Sequence, residues 1–280
     1  MQPTTAAAEY TDVTLATLSL TSIAIIVVIG LPTALVGGYW LGVTGRRRLM
    51  AKGQQVESHL GETTQGAFLA LLGLLLAFTF GNALSISQAM KAAATDEAAA
   101  IGTAFLRADY LADPGRTELK TAIFDYAKTR IVPAHQQIDT REKFDTWLEA
   151  SLIAQSRLWP ATLKATEEPT PPPIQAFVAS AVNDALDAHL YRVATQAVPI
   201  APFSQMVVLI ATITAVFLLA NRTGMLGRSL TWRTFAFSML TGLVLYMVAD
   251  IRRGYQGFIR VEQSELFATI FEMEQALRAE

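Results

Sequence analysis

An uncharged stretch of twenty residues, 66–85, constrains the fold of this chain more than any other feature of its sequence. At about 1.5 Å of rise per residue, a helix of that length crosses the ~30 Å hydrocarbon core of a bilayer. Composition agrees with a membrane protein, since 52% of the residues are hydrophobic and 16% are charged. The stretch therefore predicts a membrane span.

The predicted span has two unlike faces when it is projected at about 100° per residue. One face is a row of small residues: Gly66, Ala70, Gly73, Ala77 and Gly81. Small residues let a neighbouring helix approach closely, so this row predicts a helix-packing seam. The opposite face carries Phe68, Leu72, Leu75, Thr79 and Asn82. Its polar members can serve interhelical hydrogen bonds, or the whole face can line a pore in an oligomer, and both uses stay open.

Three further apolar stretches predict spans at about residues 13–41, 199–220 and 234–249. Pro32 predicts a kink in the first of them. The second span lacks a break at its end, so one helix is predicted over 62–110, and the prolines at 171–173 predict a non-helical connector. Amphipathic helices are predicted at about 118–131, 139–159 and 174–198, and one more begins at Ser264.

The sequence thus predicts an all-α membrane protein with four transmembrane helices and a helical extramembrane module inserted between spans 2 and 3. The tail and spans 1 and 2 take residues 1–85, and the module takes residues 86–198. Spans 3 and 4 take residues 199–250, and a C-terminal amphipathic helix takes residues 251–280.

Positive charge predicts the orientation of these spans. The loop after span 1 carries Arg46, Arg47, Arg48 and Lys52, and the loop after span 3 carries Arg222, Arg228 and Arg233. Short loops rich in Lys and Arg face the cytoplasm, so the module is predicted on the opposite side. Binding of lipid headgroups is a second use for the first group.

Several classes of function find no support in the sequence. A net charge of -2 gives no basis for nucleic-acid binding, and the absence of cysteine removes disulfides and thiolate metal sites. The three histidines, His59, His135 and His189, are interpreted as surface or internally satisfied side chains. No serine stands in an elbow motif and no carboxylates pair as acid and base, so we predict no enzyme, no metal site and no cofactor.

Two groups of charged residues are candidates for ion binding. Glu97 and Arg107 lie beyond the second span, where they pair with neighbouring helices or bind ions at a pore mouth. Asp250, Arg252 and Arg253 lie where span 4 ends, and they form either a structural ion pair or a ring that attracts anions.

Three segments carry a resemblance to a known family: LLGLLLAFTFGNAL, DEAAAIGTAFLRADYL and DIRRGYQGFIRV. They resemble the bestrophin-like membrane proteins of bacteria, from about Glu62 onward. Arg252 and Gly254 stand where that pattern has an acidic residue and a proline. The resemblance implies kinship with bestrophins, which are pentameric anion channels with four spans and a cytoplasmic domain between spans 2 and 3. The charges of the loops place the module on the other side.

Two functions are therefore expected for this chain. The first is a homo-oligomeric, multi-pass protein of the inner membrane that conducts anions, with membrane lipid and copies of itself as partners and a pentamer implied by the resemblance. The second is a non-conducting scaffold or envelope sensor whose extramembrane helices bind a partner.

Overall fold

The computed structural model of the protein describes residues 19–54, 61–133, 138–167, 169–196 and 202–279. These residues form helices and no β-strand. The α-helices are α1 (Leu20–Ile25), α2 (Leu31–Ala51), α3 (Glu62–Arg107), α4 (Gly115–Thr129), α5 (Arg141–Ala165), α6 (Pro172–Gln196), α7 (Pro202–Met225), α8 (Trp232–Ile251) and α9 (Ser264–Ala279).

Four helical stretches are long and apolar enough to cross a membrane: Leu20–Ala51, Glu62–Tyr110, Gln205–Met225 and Trp232–Ile251. The prediction of an all-α chain with four candidate spans is therefore confirmed. By its internal contacts the chain divides into two compact units. We call the described residues of Ala16–Ser85 and Ile200–Arg252 the membrane unit, and those of Ile86–Pro199 and Arg253–Glu280 the helical unit.

In the membrane unit, α2 and α7 approach until their backbones touch. A Cβ atom added to Gly42 would lie 2.1 Å from the Asn221 carbonyl oxygen, and one added to Gly224 would lie 2.4 Å from the Tyr39 carbonyl oxygen. The Asn221 side-chain amide also donates to the Gly38 carbonyl at 3.2 Å. Only glycine permits so close an approach, so the small-residue seam within this unit lies on α2 and α7.

The first span differs from its prediction at its C-terminal end, whereas its predicted start lies outside the described residues. A π-helical turn, Ile26–Gly30, directly precedes α2, and Pro32 lies just after it, within one helical stretch that runs from Leu20 to Ala51. Because proline has no N–H to donate, the regular α-helical hydrogen-bond pattern is interrupted at this point. The helix then continues to Ala51 rather than ending near residue 41. Arg46, Arg47 and Arg48 consequently lie on the helix and not in a loop, whereas His59 lies outside the described residues.

Helices of the helical unit pack around a common apolar core. The core is formed by α3, α4, α5, α6 and α9, and its largest fully buried apolar side chains include Ile101, Leu119, Ile123, Tyr126 and Leu158. From α9, Leu266 and Met273 enter this core, while Phe267 and Phe271 are exposed. The apolar face predicted for α9 is thus only partly covered by its own chain.

Helix boundaries in this unit confirm most of the predicted segments. Helix α3 is continuous, and a 3₁₀ turn, Ala108–Tyr110, extends it to the predicted end. Helix α9 begins at Ser264 as predicted. The connector predicted at residues 171–173 is wrong in part, because Pro172 begins α6 and Pro173 follows it. A first helical turn tolerates proline, since its N–H groups have no partner within the helix.

Candidate functional site

The predicted packing seam on α3 is exposed in the part of the chain that the structure describes. Gly66, Ala70, Gly73, Ala77 and Gly81 are all exposed. A Cβ atom added at any of the three glycines would meet no atom of the described chain within 4 Å. Their row therefore forms a bare face, and its role as a seam stays a prediction for contact with another molecule.

The face of α3 opposite the bare face is partly buried by its own chain. Leu72 is only 3% exposed, and a side chain buried within its own chain cannot line a pore between chains. This burial contradicts the place of Leu72 in the predicted lining. Thr79 donates its hydroxyl proton to the Leu75 carbonyl within the same helix at 2.6 Å, not to another helix. Phe68 and Leu75 are half-buried, whereas Asn82 is exposed, and these three stay predictions.

A buried ion cluster occupies the helical unit, and Glu97 of α3 is its centre. One carboxylate oxygen of Glu97 accepts from Arg130 Nε at 2.8 Å and from the Tyr126 hydroxyl at 3.2 Å. The other accepts from Arg192 Nη1 at 2.5 Å. Glu97, Arg130, Arg192 and His189 are each 0% exposed. Glu97 therefore pairs with the neighbouring helices α4 and α6, as expected from the sequence.

A second layer of contacts fixes the two arginines. Arg192 donates to the Tyr255 hydroxyl from Nη2 at 2.7 Å and from Nε at 3.1 Å. Arg130 Nη1 donates to the Ser151 hydroxyl at 2.9 Å, and its guanidinium lies 4.4 Å from the centre of the Trp147 ring. The cluster therefore joins α3, α4, α5, α6 and the segment that precedes α9.

The same surroundings change the protonation of the groups around Glu97. Burial and the neighbouring Arg130 charge lower the pKa of His189 to about 3, so this histidine is neutral near pH 7. Burial and the Glu97 charge raise the pKa of Tyr126 well above its usual value, so its hydroxyl keeps its proton. Two arginines and one carboxylate then leave the cluster with one surplus positive charge.

Three polar atoms of the cluster have no hydrogen-bond partner among the described residues. They are Arg130 Nη2, His189 Nε2 and Trp147 Nε1, and all three are buried. The remaining donors and acceptors hold the helices together, since removal of any charged member would leave another charge buried and uncompensated. The arrangement is suited to fixing the geometry of this unit.

Sequence reasoning found Glu97 but missed its partners. Spacing offered a weak signal, because Tyr126 and Arg130 are four residues apart and His189 and Arg192 are three apart, so each pair shares a helix face. Of the two alternatives for His189, the structure agrees with the internally satisfied one, since this side chain is buried with Nδ1 3.0 Å from the Tyr126 hydroxyl. His135 lies outside the described residues.

Arg107 pairs with α6 through an aromatic residue. Its Nη1 donates to the Phe177 carbonyl at 3.0 Å, and its guanidinium carbon lies 4.1 Å from the centre of the Phe177 ring. Arg107 and Glu97 therefore have different partners. The pairing of Arg107 with a neighbouring helix is met, and ion binding at a pore mouth stays a prediction for both residues.

The charged residues at the end of α8 lie in different surroundings, and their uses as a structural ion pair or as a ring that attracts anions stay predictions. Asp250 is buried at 2% exposure, and Arg252 lines a cleft of the membrane unit. In the helical unit, Arg253 Nη1 donates to the Gln256 side chain at 3.1 Å. Gly254 has a φ of 60°, which proline cannot adopt, so this corner differs from the pattern that has a proline there.

A comparison with protein-family models now adds to this geometry. The bestrophin-like domain matches residues 33–266, which include the bare face of α3 and every member of the ion cluster. The chain belongs to the bestrophin-like family. This confirms the resemblance seen in the sequence, and bestrophin-like proteins are associated with channels rather than with enzymes. Searches of curated proteins and of solved structures gave no significant match.

The described residues of this bestrophin-like protein contain no group of three His, Asp or Glu side chains that could hold a metal ion. Four apolar helices and the family match together make it a membrane protein. Its described polar core is the Glu97 cluster, and the bare face of α3 is one of several exposed surfaces on its spans.

Proposed function

We propose that this bestrophin-like protein is a homo-oligomeric, anion-permeable channel of the cell's inner membrane, in which copies of α3 surround the conduction pathway. The observation that carries the proposal is the bare face of α3, which is uncharged over residues 66–85 and uncovered by the described chain. Small residues let membrane helices associate closely, so this face suits contact between copies around a shared axis.

Side chains beside the bare face and on the opposite face of α3 suit a narrow apolar pathway. Phe78 is 70% exposed, and Asn82 and Ser85 add polar groups toward the end of the span. Apolar constrictions gate by dewetting, and polar side chains nearby ease the entry of ions. Selection of anions and a count of five subunits are proposed from kinship with bestrophins.

A direct test is a planar-bilayer recording of the purified protein under a chloride gradient. We expect a current whose reversal potential follows chloride, and an altered unit conductance in Asn82→Leu. Asn183→Leu is a matched control, because Asn183 is exposed on α6 of the helical unit. Absence of current across conditions, or identical conductance in Asn82→Leu, would contradict this pathway.

The proposed topology inserts the helical unit between spans 2 and 3, on the side opposite to the arginine-rich ends of α2 and α7. The chain has no cysteine, so single cysteines at Met50 and Thr140 can be labelled without background. We expect a membrane-impermeant maleimide to reach the two sites from opposite sides of sealed vesicles. Labelling of both from one side would contradict the four-span arrangement.

A second function is favoured by aromatic residues on the helical unit. Phe258, Phe267 and Phe271 are 86%, 51% and 61% exposed. Exposed aromatic residues are typical of surfaces that bind another protein, as expected for a non-conducting scaffold or sensor. Two results together would replace the channel by the scaffold. The purified protein carries no current, and Phe271→Ser abolishes a complex that the wild type forms with a partner protein.

A further inference from the structure

We propose that a cleft within the membrane unit binds one acyl chain of an anionic phospholipid, with Arg252 at its headgroup. The cleft is an open groove with an almost wholly apolar lining, and it encloses about 590 Å³ of unfilled space when the solvent at its mouth is included. Its walls come from the first span, α7 and α8, with Thr79 of α3. The residues that define it here are Val27, Val208, Leu209, Leu245, Val248 and Arg252.

Arg252 gives the cleft a charged end. It directly follows Ile251, the last residue of α8, and its side chain is half-buried. Its Nε atom is buried and has no hydrogen-bond partner among the described residues. A buried N–H without an acceptor is costly, and a phosphate oxygen satisfies both the hydrogen bond and the charge. The guanidinium group also matches phosphate in shape.

The walls of the cleft identify the other part of the ligand. Valine and leucine side chains dominate them, and the Thr79 hydroxyl already donates to the Leu75 carbonyl. A wholly polar anion would therefore lose its hydration there without compensation, whereas an acyl chain would not. The end of a span lies near the headgroups of a bilayer, which places phosphate within reach of Arg252.

Charge complementarity thus favours an anionic phospholipid over a zwitterionic one. This ligand does not depend on conduction, because it binds within one chain and away from the bare face of α3. A protein that carries no current can still bind it. The test below therefore fails or succeeds separately from the electrical recording.

Competition between two lipids with identical acyl chains tests the headgroup. Detergent-purified, delipidated protein is mixed with equimolar phosphatidylglycerol and phosphatidylcholine, and bound lipid is counted by native mass spectrometry. We expect about tenfold more phosphatidylglycerol than phosphatidylcholine on the wild type, as one charged hydrogen bond provides, and loss of that preference in Arg252→Gln. Arg233→Gln is the matched control, because Arg233 is exposed at the other end of α8.

A filled cleft tests the acyl chain independently of Arg252. Ala249 lines the cleft, so Ala249→Phe should lower the binding of both lipids at least tenfold. Ala236→Phe makes the same change on the exposed face of α8 and should leave binding unchanged. Size-exclusion chromatography shows that each variant is folded before lipids are compared.

Several results would overturn the proposal. They are equal binding of the two lipids by the wild type, an effect of Arg252→Gln that Arg233→Gln reproduces, and full binding by Ala249→Phe. Free oleate is offered in a parallel arm. If oleate binds and Ala249→Phe abolishes it while phosphatidylglycerol does not bind, the occupant is a free fatty acid and the phospholipid is wrong.

Discussion

Each of the two units of this protein is stabilised internally, and the two use opposite kinds of contact. In the membrane unit, Gly38, Gly42 and Gly224 bring the backbones of α2 and α7 into direct contact. In the helical unit, a carboxylate and two arginines with long side chains meet in a fully buried cluster. Within one chain, stabilisation thus ranges from the smallest side chain to the largest charged ones.

We expect this difference for a membrane unit in lipid and for a helical unit that lies in water, as proposed above. Lipid is as apolar as leucine, so membrane helices gain little by burying large apolar residues and gain more from close backbone approach. Water drives apolar burial strongly, and that gain can offset the desolvation of Glu97, Arg130 and Arg192. The cluster selects one arrangement of helices, because each charge requires the others.

Breaking the ion cluster should give the largest effect. Arg192→Met leaves Glu97 with one cation fewer and deprives the Tyr255 hydroxyl of two donors. We expect a loss of about 3–5 kcal/mol in the stability of the helical unit, measured by urea unfolding in detergent. Arg157→Met, the same change at an exposed arginine of α5, should cost less than about 0.5 kcal/mol. Equal effects would mean that the cluster is not needed for stability.

Breaking the glycine seam should come next. The Cβ atom of Gly42→Ala would overlap a backbone oxygen, which cannot swing aside as a flexible side chain does, so α2 and α7 must separate. We expect a loss of about 3 kcal/mol, seen as a lower midpoint of heat-induced loss of the monodisperse peak. Gly37→Ala has open space around its Cβ and should be neutral or slightly stabilising. If Gly42→Ala and Gly37→Ala lower the midpoint equally, the close contact between α2 and α7 does not stabilise the protein.

Low pH should lower the stability of the helical unit because His189 is buried in its neutral form. Because burial lowers the pKa of His189 to about 3 from 6.5, the unfolded chain binds more protons between these values, and stability falls as pH falls below 6.5. This histidine alone should cost about 2 kcal/mol between pH 7.5 and pH 5. Unfolding curves at both pH values should show a smaller difference in His189→Gln. An unchanged difference would exclude His189 as the cause.

The smallest effect is expected from an exposed ion pair of the helical unit. Lys91 and Glu262 lie 2.9 Å apart, but both side chains are more than half exposed. Water and salt weaken such pairs, so Lys91→Met should change the stability of the helical unit no more than the control Arg157→Met does. Urea unfolding in low and high salt measures this. A cost like that of Arg192→Met would show that burial does not distinguish the two pairs.

Sequence patterns predicted local structure well and long-range partners poorly. Apolar length and helix-forming residues sufficed for the four spans and for the long helix α3. The glycine row of α3 and the glycines of α2 look alike in sequence, and only packing shows that α2 has the partner within the chain. Glu97 was recognisable as a charge on a helix. Its partners Arg130 and Arg192 lie far along the chain, and their selection depends on how helices assemble.

The spacing of the ion cluster has a consequence for biosynthesis. Arg192 follows Glu97 by 95 residues, and Tyr255 follows Arg192 by a further 63. At about 5–20 residues per second, a ribosome needs roughly 5 to 20 seconds between the first two. During that interval the nascent chain carries a carboxylate whose second arginine does not yet exist. Quality-control factors that act on unfinished membrane proteins therefore meet this chain with its Glu97 site still open.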